Sequence, residues 1–178
     1  VYGAGELIYL QQVLKKNFVN ESKYDKQKII EYQNLNKNII FDEYLEYFNL
    51  YNFKEKIITD KAPQNFRLIG FIKLFFPNAK VIHCFRNSKD NCLSLFKNSF
   101  ASNTMNWTNK AEDIAEYYNL YIKVMNFWKE KLPNYIYDIE YEKLVSDKET
   151  QIKKIINFCG LEWDEKCLRP HINSKTPI

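Results

Sequence analysis

The sequence predicts a helix-rich α/β fold built on a parallel sheet. Three observations carry this reading. Ala79 to Phe85 (AKVIHCF) is a continuous apolar run, as a strand buried on both faces of a parallel sheet requires. A second strand-like run, Tyr135 to Tyr141 (YIYDIEY), follows it after long helical stretches. Only four glycines and five prolines occur in 178 residues, so helices run long and their ends are legible. Strands alternating with helices of this length form layers around one sheet.

Each element has a local reason. Gly5 to Phe18 sets Leu7, Leu10 and Leu14 on one helical stripe. Tyr24 to Leu35 and Asn38 to Tyr51 read as two further helices, rich in Tyr and Phe. Lys56 to Thr59 is a short β-type run broken by Asp60-Lys61-Ala62-Pro63. Pro63 suits a helix start, and Asn65 to Phe76 continues that helix up to Pro77. After the Ala79–Phe85 strand, Ser88 to Phe100 is helical, with Leu93, Phe96 and Phe100 aligned. Ser102 to Asn109 reads as a polar loop and Lys110 to Lys131 as a long helix ended by Pro133. Glu149 to Cys159 is a last helix, stopped by Gly160. No repeat or low-complexity tract interrupts this order.

Bulk chemistry narrows the function. At 178 residues the expectation is one domain, 1–178. Hydrophobic residues at 46% exclude a disordered composition. The net charge of +4 suits an anionic ligand, but no basic run marks a nucleic-acid partner. Cys84, Cys92, Cys159 and Cys167 form no C-x-x-C pair and stand at no zinc spacing with His83 or His171. They read as free, mostly buried thiols of a reducing compartment, with no metal site. No apolar stretch is long enough to cross a bilayer. A start at Val1, without methionine or a signal-like segment, reads as a piece of something longer.

Ligands of a parallel α/β sheet bind beyond the carboxyl ends of the strands. Arg86 stands at such an end. Ser88 is a credible N-cap of the next helix, and Asp90 in its first turn suits the helix dipole. Free N–H groups there, with the planar Arg86 fork, would form an anion site. Ser94 lies one turn beyond Asp90 on the same face. The alternative is that Arg86 pairs with Asp90 while Ser94 faces water. Lys61 lies at a neighbouring strand end, where an ammonium would neutralise charge on a transferring group; its alternative is a solvated loop lysine.

Taken together these stretches resemble the sulfotransferases that use 3′-phosphoadenylyl sulfate. The nearest branch is that of the tyrosylprotein sulfotransferases and the bacterial, tetratricopeptide-associated enzymes. Four stretches carry the likeness, in order and in spacing: Val-Tyr-Gly-Ala-Gly-Glu at 1–6; Asp60-Lys61-Ala62-Pro63-Gln64-Asn65; Phe76 to His83 running into Arg86 and Ser94; and Ile139 to Val145 (IEYEKLV). The resemblance implies a three-layer fold like that of the P-loop NTPases, here incomplete at both ends. It implies that Arg86 and Ser94 grip the 3′-phosphate and that Tyr141 contacts the adenosine half of the nucleotide. Lys61 would stabilise the leaving phosphate, and Glu6 would act as general base. The acceptor would be a hydroxyl, protein tyrosine among the options. In the family an insertion like 20–55 helps shape the acceptor site, and no metal is needed. A cytoplasmic setting is expected, and no oligomeric state is implied.

Departures from the pattern are equally specific. The family's Pro-x-Ser-Gly-Thr-Thr loop, which holds the 5′-phosphosulfate, lies upstream of the position of Val1. Gly3-Ala4-Gly5 is too short to replace it and is expected to follow no strand. The family's C-terminal segment should begin near 173–178. Tyrosylprotein members carry another arginine one turn past the serine, where Asn98 stands here. The expectation is therefore an internal fragment of an active parent, inactive alone. Two other readings stay open: a non-catalytic nucleotide-binding or helical interaction module, and a P-loop kinase relative. Among remaining residues, His83 reads as a hydrogen-bonded core histidine and Trp128 as core. Trp107 reads either as a lid that stacks on a ligand or as an anchor at the edge of the core.

Overall fold

The computed structural model describes residues 1–35, 38–49, 55–100 and 103–169. They fall into two compact units, Val1–Ala79 and Lys80–Ile178.

The first unit opens with β1 (Tyr2–Gly3) and α1 (Tyr9–Phe18), then a hairpin of β2 (Val19–Asn20) and β3 (Lys23–Tyr24). There follow α2 (Lys26–Leu35), α3 (Asn38–Asn49), β4 (Ile58–Thr59), a 3-10 turn over Pro63–Leu68 and α4 (Ile69–Phe75). Two expected features hold closely: Pro63 starts its turn, and Leu7, Leu10 and Leu14 are all buried. Phe18, Val13, Leu14 and Ile40 form the centre of the core. Phe18 stacks on Phe71 and Phe75 and meets Tyr32 edge-on. Tyr32, Tyr44 and Tyr47 pack against this core, so the aromatic stretch of α2 and α3 is packing surface; Tyr51 and Phe53 lie outside the described residues.

Two sequence expectations are corrected here. The first helix begins at Tyr9, not Gly5, because Gly5 takes a left-handed φ of 74° and its segment runs beside β4 instead. β1 pairs with β4 in parallel, Tyr2 opposite Ile58 and Gly3 opposite Thr59. Hence Gly3-Ala4-Gly5 does follow a strand. The helix expected from Tyr24 begins at Lys26, because Tyr24 belongs to the second strand of a hairpin. Glu21 and Ser22 both carry positive φ (46° and 68°), the two-residue turn whose twist matches a hairpin.

The second unit contains β5 (Val81–Phe85), α5 (Ser88–Lys97), a 3-10 stretch over Asn103–Asn109, α6 (Ala111–Lys131) and β6 (Ile136–Glu140). It continues with α7 (Tyr141–Ser146), α8 (Lys148–Phe158) and a short 3-10 turn over Glu165–Leu168. β5 and β6 run parallel, from Val81 opposite Ile136 to Phe85 opposite Glu140. The stop at Gly160 is as expected. Its φ is 69°, its N–H donates to the Asn157 carbonyl and the Leu161 N–H to that of Ile156, a Schellman closure.

Here too several expectations are corrected. β5 is not buried on both faces: Ile82, Cys84 and Phe85 are exposed, because among the described residues the sheet has only β6 beside it. Leu93, Phe96 and Phe100 are exposed as well, and α5 ends at Lys97. None of the four cysteines is buried; Cys84 is exposed and the others are intermediate. The polar stretch before α6 is a 3-10 helix, not a loop. Trp107 stacks on Tyr117, centroids 4.1 Å apart, which makes it an anchor at the edge of α6. Trp128 is only half-buried, against Phe127. His83 is hydrogen-bonded as expected: one ring nitrogen meets Asp138 at 2.6 Å and the other Tyr121. Lys129 pairs with the second Asp138 oxygen at 2.6 Å. Burial works to raise the Asp138 carboxyl, but hydrogen bonds from Lys129 and His83 outweigh it and hold it below the ordinary range. Burial also pushes the Tyr121 hydroxyl up to about 12. The four side chains therefore form a polar clamp between sheet and α6.

Instead of one central parallel sheet, the described residues show two short parallel pairs and one hairpin. The parallel pairs matter for function, because each ends at predicted site residues.

Candidate active site

At the carboxyl end of β1 and β4 the backbone ladder continues past the strands. The Ala4 N–H donates to the Thr59 carbonyl at 2.9 Å, and the Lys61 N–H to that of Gly5 at 2.8 Å. This crossing of two chains sets Glu6 and Lys61 side by side, and their side chains form an ion pair, Lys61 Nζ to Glu6 Oε1. Both side chains are about 60% exposed (59% and 61%). An exposed pair contributes little to stability, so its presence reflects the backbone crossing and leaves both groups open to a ligand.

Asp60 stands between the strand end and Lys61. Its carboxylate accepts the Leu7 N–H at 3.4 Å through one oxygen and the Tyr44 hydroxyl at 2.9 Å through the other. Burial lifts this carboxyl above the ordinary Asp range, against the hydrogen bonds from Tyr44, Leu7 and Asn65. Tyr44 comes from α3, within the predicted insertion, and its own hydroxyl is raised by burial and by the adjacent Asp60 charge.

At the carboxyl end of β5 and β6 stand Arg86 and Tyr141, each just beyond its strand. Register places Phe85 opposite Glu140, so the two follow on neighbouring strand ends. Arg86 is half-buried, and its Nε is buried without a hydrogen-bond partner among the described residues. One terminal nitrogen donates to the main-chain oxygen of Asp90 at 2.5 Å. Among the described residues Arg86 has no carboxylate in an ion pair, so the alternative Arg86–Asp90 pair does not form. Ser94, half-buried, lies one turn further along α5 from Asp90. Tyr141 opens α7 and is about half exposed.

The helix start differs from the expected one. Asn87, not Ser88, is the N-cap of α5: its side chain accepts the Lys89 N–H at 2.9 Å. The reason is competition, since Asn caps as well as Ser and stands one residue earlier, directly at the strand end. Asn98 turns its amide back onto the Ser94 carbonyl at 2.7 Å and so closes the end of α5 rather than reaching outward.

Glu142 was not singled out by the sequence. It accepts the Asn87 N–H at 3.0 Å. That bond, then its own backbone N–H and, less strongly, the Arg86 charge, hold its carboxyl below the ordinary range. Glu142 thereby ties the start of α7 to the junction that carries Arg86. The signal was one position away, in the EYEKLV stretch already noted for Tyr141.

Among the described residues no three His, Cys, Asp or Glu side chains cluster. No helix there is long and apolar enough to cross a membrane. His171 and residues 173–178 lie outside the described residues.

Comparison with known proteins supplies the family. Residues 10–165 match the profile described as "Sulfotransferase family", a span that includes Lys61, Arg86, Ser94 and Tyr141 and begins after Glu6. An uncharacterized protein of Aquifex aeolicus (strain VF5) is 30% identical over 186 residues, covering 100% of this chain and 24% of that protein. The chain thus spans about a quarter of the length of that relative. It belongs to the sulfotransferase family.

Proposed function

We propose, from that membership, that this chain carries sulfuryl transfer from 3′-phosphoadenylyl sulfate to a hydroxyl acceptor, a tyrosine phenol being the acceptor tried first. We read residues 1–178 as one catalytic domain of the three-layer, P-loop-like type, close to the tyrosylprotein and tetratricopeptide-associated branch. The observation that carries the reading is the state of Arg86. A guanidinium at a strand end, which among the described residues has a buried and unpartnered Nε and no carboxylate in an ion pair, suits an anionic ligand. A buried donor without a partner costs roughly 1–3 kcal/mol, a cost that a bound phosphate oxygen relieves.

The roles follow from the donors. Arg86 and Ser94 hold the 3′-phosphate through charge-assisted hydrogen bonds. Tyr141, exposed at the adjoining strand end, meets the adenosine half. Glu6 takes the acceptor's hydroxyl proton on its carboxylate as the new O–S bond forms. Lys61 faces the bridging oxygen, which keeps the electron pair of the S–O bond that breaks. The products are the sulfate ester and 3′-phosphoadenosine 5′-phosphate. Transfer of this kind rests on positioning and on cations, as phosphoryl transfer does. The helices of 20–55 shape the acceptor side, and a cytoplasmic setting without nucleic-acid or membrane partners fits the composition.

The test is a transfer assay on the full-length protein. Sulfate-labelled 3′-phosphoadenylyl sulfate is supplied with a tyrosine peptide and, separately, 4-nitrophenol. Label on either acceptor, lost in Lys61→Ala, is expected. Label transfer that survives both Lys61→Ala and Glu6→Gln would overturn the roles given to them.

A further inference from the structure

We infer that Asp60 is a positioning residue for the Glu6–Lys61 pair, and that Tyr44 is its partner; the inference rests on the reading of that pair as catalytic. Asp60 directly precedes Lys61, and Leu7 directly follows Glu6. One Asp60 oxygen accepts the Leu7 N–H at 3.4 Å and the other the Tyr44 hydroxyl at 2.9 Å. A single carboxylate therefore links the segment bearing the base, the segment bearing the cation and helix α3.

Asp60 is half-buried while its neighbours Thr59 and Lys61 point to an exposed rim. Leu7, whose N–H it holds, is itself a buried core residue. Tyr44 is fixed from behind by Phe76, ring centroids 5.1 Å apart and nearly perpendicular. So the carboxylate is anchored on the core side, and the exposed Glu6 and Lys61 are not. The ion pair cannot set its own geometry, because both partners are long, exposed side chains. Orientation must come from the backbone at residues 6–7 and 60–61, and Asp60 is the side chain that joins those two stretches. Errors of about 1 Å in such positioning cost on the order of 100-fold in rate.

Burial raises the Asp60 carboxyl, so its charged form is held at the expense of fold stability. An amide would avoid the cost of a half-buried charge but offers one acceptor oxygen where the carboxylate offers two, so it would release either the Leu7 N–H or the Tyr44 hydroxyl. A split between transfer rate and melting temperature therefore separates a positioning role from a structural one.

Three measurements on the full-length protein test the inference. Asp60→Asn should lower kcat about 10- to 100-fold, with the KM for the nucleotide and the Kd for 3′-phosphoadenosine 5′-phosphate within about twofold of wild type. Its melting temperature at neutral pH should equal or exceed that of wild type. Tyr44→Phe should lower kcat in the same direction by a smaller factor. Amide exchange at Leu7 should accelerate in Asp60→Asn, a readout that needs no transfer activity. An unchanged kcat in Asp60→Asn, a kcat loss matched by a fall in melting temperature, or unchanged exchange at Leu7 would each overturn the inference. Absence of nucleotide binding and transfer in wild type would sink the proposed function instead, and the exchange measurement would still decide whether Asp60 holds Leu7.

Discussion

The two parallel strand pairs end in opposite electrostatic states. Beyond β1 and β4 the cation is already matched: Lys61 pairs with Glu6, and the nearby Asp60 is occupied by Leu7 and Tyr44. Beyond β5 and β6 the cation is left over: among the described residues Arg86 has a buried, unpartnered Nε, and Glu142 is engaged with the Asn87 backbone. A matched acid and base suit proton removal and charge that develops only during reaction. An unmatched guanidinium suits a permanent anion. Under the proposed function the same topological position, the carboxyl end of a parallel pair, would serve chemistry in one unit and ground-state binding in the other.

That contrast can be broken from either side. Glu6→Gln removes the base and should lower kcat by about 10²- to 10⁴-fold, read by initial rates with saturating nucleotide. Lys61→Ala should lower kcat by about 10²- to 10³-fold and barely change nucleotide affinity. Arg86→Ala should weaken 3′-phosphoadenosine 5′-phosphate by roughly 10- to 100-fold, the worth of one or two charged hydrogen bonds. A core change such as Phe18→Ala, by contrast, should cost about 3–5 kcal/mol of unfolding free energy without distinguishing the two strand ends. Asn98→Ala should be the mildest, a cap loss of about 1 kcal/mol or less with nucleotide affinity unchanged, because its amide serves Ser94's carbonyl.

Asp60 adds a pH arm to the comparison. The groups facing it are the Tyr44 hydroxyl, the Leu7 N–H and the Asn65 side chain. Its folded carboxyl is raised above the ordinary value of 3.8, so its stabilising contribution is complete below that value and is lost as pH rises through the higher folded value. Wild type should therefore lose melting temperature relative to Asp60→Asn as pH climbs through that window, measured by calorimetry at pH 4 and pH 7. A parallel pair of curves would show that Asp60 carries no such burden.

Much of the first unit's framework was legible, and much of the second unit's surface was not. Pro63 and Gly160 act through local backbone chemistry and appear as read; Leu10 and Leu14 are buried on α1, whereas Leu7 is buried from the segment that precedes the helix. The β2–β3 hairpin escaped because each strand has two residues and its turn uses Glu21 and Ser22 in place of glycine. Leu93, Phe96 and Phe100 are aligned as a core stripe would be, yet periodicity states only that they share a face, not what covers it. β5 reads as doubly buried for the same reason. Among the proposed site residues, Lys61 and Arg86 drew attention as strand-end cations, Ser94 as a hydroxyl in the helix that follows Arg86, and Glu6 and Tyr141 through the stretches that resemble the family. Asp60, Tyr44 and Glu142 act through hydrogen bonds across 16 to 55 positions, and no local pattern records such a partner.

The most direct test is a calorimetric titration of the full-length protein with 3′-phosphoadenosine 5′-phosphate, comparing wild type, Arg86→Ala and Lys61→Ala. The account predicts that Arg86→Ala weakens binding at least about tenfold while Lys61→Ala stays within a few-fold of wild type. Equal, mild effects from both substitutions, or a larger loss from Lys61→Ala, would contradict the division of labour between the two strand ends.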